Sequence, residues 1–181
     1  MRIPAAVLVF ALPLFAGDKP TLEHLTVKPP AKFVGESAVR VTVGEQRLTF
    51  WPATKPGQLF GVVTFAKPWT DFRGQEIPAG AYTLRSAKQP KTADHEDTSP
   101  SPDFLILSPI ADDRDPADLP FAALKKLSGK ASGGNHPAVM VMLPAEKEAG
   151  ITKPKATWMA AQWTWNERPI RVIVDGVWNG K

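Results

Sequence analysis

Apolar and polar side chains alternate along most of this chain. Val39, Val41 and Val43 share one side of a two-residue period, with Arg40 and Thr42 on the other, the mark of a half-buried β-strand. Gly44 and Glu45 then supply a tight turn, and residues 47–51 form the return strand. Residues 59–65 are almost continuously apolar, as expected of a strand covered on both faces. Further strands are predicted at 81–86, 104–108, 138–143, 159–165 and 170–174, with a short one around Leu25 and Val27. Only one stretch has helical periodicity. Phe121, Leu124, Leu127 and Ala131 recur on one side, with Lys125 and Lys126 opposite. Asp118 occupies the position of an N-cap, Pro120 suits a first turn, and Gly129 or Gly133 can end the helix. Short strands with turns between them and a single helix predict a mainly β fold. Its expected form is a two-sheet sandwich, immunoglobulin-like or jelly-roll-like.

The amino terminus breaks the alternation. Met1-Arg2 is followed by residues 3–16, which carry no charge, and Asp18-Lys19 restore polarity. The run is shorter than the roughly 20 apolar residues that span a bilayer. It matches a secretory signal peptide over 1–16, leaving 17–181 as a single sandwich domain. Export to a periplasm or the medium is therefore expected, with no membrane-spanning segment once the signal is removed. The chain has no cysteine, which rules out a lipid anchor after the apolar run, thiol nucleophiles and thiolate metal sites.

Composition adds little to this and subtracts one class. The formal charge is +4, and the lysines and arginines are interleaved with acids, so no nucleic-acid partner is expected. Prolines number 19 in 181 residues and are scattered, which fits short strands and turns and not a proline-rich linker.

One hairpin is unusually legible. In Asp71-Phe72-Arg73-Gly74-Gln75-Glu76-Ile77-Pro78-Ala79-Gly80-Ala81-Tyr82, Arg73-Gly74 makes one turn and Ile77-Pro78-Ala79-Gly80 a second. A buried Tyr82 whose hydroxyl reaches a nearby backbone group would pin this corner. The segment resembles the G-x-x-I-P-A-G-x-Y hairpin of bacterial immunoglobulin-like modules. Taken with Phe65-Ala66-Lys67-Pro68-Trp69, His95, Asp103-Phe104 and Asn135-His136-Pro137, residues 58–143 look like a family of exported bacterial β-proteins without an assigned activity. The resemblance implies fold and compartment and no catalytic residue.

Candidate chemistry sits in four places. Residues 88–103 hold no large apolar side chain and contain Asp94-His95-Glu96-Asp97, donor types suited to a divalent metal. His136 lies in a glycine-rich turn after the helix. Were the two loops to meet, His95, His136 and Asp94 or Glu96 could hold one metal and support a metal-dependent hydrolase. The blander alternative is a solvated charge run. Asp112-Asp113-Arg114-Asp115 precedes the helix, where carboxylates favour its positive end. No serine stands in a nucleophile elbow. Six tryptophans complete the inventory, with Trp163 and Trp165 on one face of a strand and Trp69 beside the hairpin. Such rings stack on sugars when exposed and fill cores when buried. The expected function is a non-catalytic exported binding or accessory module of the cell envelope that needs no cofactor. An envelope glycan is its expected ligand, or another exported protein its partner.

Overall fold

The computed structural model describes residues 20–26, 37–53, 55–90, 99–115, 117–134, 136–146 and 148–178. The expected signal peptide lies outside them, as do Asp94, His95 and Glu96. Among the described residues twelve strands and one helix follow one another. They are β1 (Thr21–Thr26), β2 (Ser37–Val43), β3 (Gln46–Phe50), β4 (Leu59–Phe65), β5 (Trp69–Thr70), β6 (Glu76–Ile77), β7 (Gly80–Lys88), β8 (Asp103–Pro109), α1 (Phe121–Ser132), β9 (Ala138–Leu143), β10 (Gly150–Thr152), β11 (Met159–Trp165) and β12 (Arg168–Asp175).

The mainly β expectation holds, with one change of form. Ten strands make one continuous antiparallel sheet in the order β1-β2-β3-β4-β7-β8-β9-β12-β11-β10. No separate second large sheet is present among the described residues, where a sandwich would need one. The sheet rolls until its edge strands β1 and β10 approach each other, and Leu22 and Ile151 from those edges pack on the same inner core. The result is a nearly closed barrel, which leaves little free strand edge.

Strand alternation now acquires a direction. Along β8, Leu105 and Leu107 point into the barrel while Phe104 and Ile106 point out, and β9 repeats this with Ala138 and Met140 against Val139 and Val141. The barrel is filled, not hollow. Phe50, Phe60, Phe65, Trp163 and Leu84 occupy its interior. The small antiparallel pair β5–β6 sends Trp69 and Ile77 into the same interior cluster. A second cluster on the outer face gathers Phe72, Phe104, Ile106, Val139, Val141, Trp158 and Ile173, and Leu124 of α1 packs onto it.

The corner at Tyr82 is as the sequence predicts. Its hydroxyl donates to the Pro78 carbonyl at 2.7 Å, and burial pushes the phenol pKa up. The helix ends on Gly133 with φ 65°, the left-handed cap conformation that glycine adopts without strain. Its start differs from expectation. Pro120 is the N-cap, with extended backbone and no side-chain cap, and Asp118 pairs instead with Lys55 Nζ at 2.6 Å.

The β11–β12 hairpin turns through Asn166 and Glu167, both at positive φ (46° and 65°). A two-residue turn of this hand favours glycine at its second position, where a glutamate is strained. Glu167→Gly is therefore expected to stabilise the fold by about 1 kcal/mol. A urea midpoint that rises at unchanged slope meets this, and a lowered midpoint contradicts it.

Candidate functional site

Helix α1 reaches the sheet through a buried ionic clamp. Arg85 on β7 and Asp113 in the loop after β8 have side chains only 1% and 0% exposed. The guanidinium forks onto the carboxylate, Nε to Oδ2 and Nη2 to Oδ1, each at 2.8 Å. Its remaining donors reach the carbonyls of Gly57 (2.9 Å), Ala117 (2.8 Å) and Asp115. Thr83 Oγ1 donates to the same carboxylate at 2.6 Å. Every donor of the buried cation is thus satisfied, and two loops are tied to the barrel wall just ahead of the helix. The acidic run does not serve the helix dipole as expected, since no acid stands in the first turn of α1. Asp112 instead pairs with Lys130, in the helix's last turn, at 2.6 Å.

The other end of the helix is held by hydroxyls. Ser128 Oγ accepts the amide of Ala138 at 2.8 Å, and Ser132 Oγ donates to the His136 carbonyl at 2.8 Å. Beside this turn lies the buried carboxylate of Asp71. It accepts the amides of Arg73 (2.9 Å), Gln75 (2.8 Å) and Val139 (3.0 Å), and the Gln75 side-chain amide at 2.9 Å. Burial pushes its pKa above the ordinary aspartate value, while these donors pull the other way. Gln75 Nε2 also reaches the Pro137 carbonyl at 3.0 Å, so the hairpin carrying Arg73 and the turn carrying His136 form one unit.

Between α1, this unit and the outer sheet face is a cavity of about 400 Å³. Its walls include Phe72, Phe104, Phe121, Val139, Val141 and Trp178, and three basic side chains, Arg73, Lys125 and His136, border it. No carboxylate lines it among the described residues. Phe121 is one of two large apolar side chains left exposed among the described residues, at 37%, and meets Phe104 edge to face at 6.4 Å between ring centres. An apolar pocket with a few convergent polar groups is the usual form of a small-molecule site.

A second cavity, about 510 Å³, lies at the strand ends where β4, β8 and β12 begin, bordered by Phe60, Trp165, Asn166, Arg168 and several prolines. Its floor is the filled barrel. Two of its cations are neutralised in place, Lys55 by Asp118 and Lys88 by Asp103.

Trp163 is fully buried in the barrel, stacked on Phe50 at 4.8 Å, and Trp69 is buried against Phe65 at 4.7 Å. Neither has a free ring face to offer a ligand, so they do not form the exposed row that sugar stacking needs. Trp165 shares their side of the sheet but is only half-buried and borders the second cavity. His136 borders the first. Among the described residues no three of histidine, cysteine, aspartate and glutamate come together to hold a metal. Missed from sequence were the walls themselves, Phe72, Phe104, Phe121 and Trp178, and the clamp Arg85–Asp113. None of them stands in a pattern that points by itself to a ligand or a buried ion pair.

No family model, curated protein or solved structure matches this chain. No helix among the described residues is long and apolar enough to cross a membrane.

Proposed function

We propose that the protein is an exported, non-catalytic binding module of the cell envelope that holds a small apolar molecule in the cavity beneath α1. The cavity carries this reading. Its aromatic and aliphatic walls are open at Phe121, and no carboxylate that could act as acid or base lines it among the described residues. Export rests on the uncharged run ahead of Asp18, and an immunoglobulin-like affinity rests on the hairpin with Tyr82 at its corner. A glycan ligand has less support, because only Trp165 of the three candidate tryptophans borders open space.

Titration with the neutral dye Nile red tests the reading. One saturable site is expected, weakened about fivefold in Phe121→Ala, on the scale of one lost aromatic contact. Phe121 is exposed, so the variant keeps its fold. Absence of saturable binding, or equal affinity in the variant, contradicts the proposal. The alternative metal-dependent hydrolase would raise the melting temperature when zinc is added, and His136→Ala would abolish that rise.

A further inference from the structure

The cavity is chemically lopsided. Along β9 and the turn before it, lining residues run from His136 through Val139 to Val141, roughly 16 Å at strand rise. Arg73 and His136 belong to one end, because the Gln75–Pro137 hydrogen bond ties their turns together. Phe104 pairs with Val141 in the sheet register and meets Phe121, which places those apolar walls at the other end. Lys125 stands one helical turn beyond Phe121, between the two.

The basic side chains are not spent on neighbours. Among the described residues neither Arg73 nor Lys125 forms an ion pair, whereas Lys55, Lys67, Lys88, Lys130, Arg85 and Arg171 each face a carboxylate. Asp71, two residues from Arg73, is fully buried and turns its oxygens to four N–H donors. A positive end with no counter-charge among the described residues, beside an apolar slot, is complementary to one kind of small molecule.

We infer that the ligand is a monoanionic amphiphile, with a carboxylate or similar headgroup at the Arg73–His136 end and an alkyl or aryl body against Phe104, Phe121 and Val141. This rests on the cavity being the binding site. Calorimetry with decanoate, decanol, decyltrimethylammonium and acetate, each below micelle formation, separates the two. Decanoate is expected to bind about tenfold more tightly than decanol at low salt, the scale of two partly solvated charge contacts. That margin should collapse in the double variant Arg73→Gln, Lys125→Gln, whose exposed substitutions spare the fold. Decyltrimethylammonium should bind weakest, and acetate should neither bind nor compete, since the headgroup alone lacks the tail's contacts. Equal binding of decanol and decanoate, or a margin that survives in the double variant, overturns the anionic inference and leaves the cavity intact. Failure of all four to bind overturns both. Competition by acetate as strong as by decanoate would show a plain anion site and also overturn it.

Discussion

Asp113→Ala is expected to lower the unfolding free energy by about 3–5 kcal/mol, the cost of stranding a buried cation. The carboxylate receives two of the donors of Arg85 and the hydroxyl of Thr83, in a place closed to water. Removing it leaves the guanidinium with carbonyl partners only, at Gly57, Ala117 and Asp115. The Asp115 and Ala117 carbonyls belong to the loop that leads into α1 and that of Gly57 to the loop between β3 and β4, so the loss should also loosen the helix over the cavity. Urea unfolding of Asp113→Ala beside Asp112→Ala checks this. Asp112 is about a third exposed in a surface pair with Lys130, and its loss should cost no more than about 1 kcal/mol. Equal midpoints for the two variants would show that the clamp does not hold the fold.

Trp163→Ala should be as damaging, at about 3–5 kcal/mol, because it empties the centre of the barrel. The ring is stacked on Phe50 with planes 23° apart and meets Trp165 edge-on at 5.2 Å. Its indole nitrogen has no partner there, so the ring acts through volume and contact and not through a hydrogen bond. Trp163→Phe should consequently recover most of the loss. The same pair of variants separates core from site. If Trp163 served ligand and not fold, alanine would leave the denaturation midpoint unchanged, and the account of the interior would be wrong.

Much of the architecture was legible from alternation. The strands expected at 59–65, 138–143 and 159–165 stand at those bounds, because short apolar runs of six or seven residues between turn signals delimit a strand well. Tyr82 was legible too, since proline and glycine on its amino-terminal side mark a corner and a tyrosine there needs a partner for its hydroxyl. Periodicity says that a strand has two faces and not which neighbours cover them. Trp163 and Trp165 could be placed together, but inside or outside depended on how the sheet curls. The same blindness turned a rolled sheet into an expected sandwich. Strands of two and three residues, β5, β6 and β10, are too short to show any period.

Charges misled for a related reason. Arg85 alternates with Leu84 and so falls on the face opposite the barrel core, which in a strand read alone means solvent. Burial came from a loop far along the chain that folds back with Asp113. Asp118 had the type and place of an N-cap, yet Lys55 claims it from another loop, and Pro120 starts the helix by its fixed φ alone. The cavity draws on the hairpin turn, β8, α1, β9 and Trp178 near the carboxyl end, so no contiguous motif could announce it. Of the described residues singled out for chemistry, His136 alone borders it.

The most direct measurement is the position of bound decanoate, by crystallography or by contacts between its methyl protons and aromatic side chains in solution. The account predicts the chain end against Phe104 and Phe121 and the carboxylate within reach of Arg73. Decanoate seated instead against Trp165 at the strand ends, or bound nowhere with a defined contact, would contradict it.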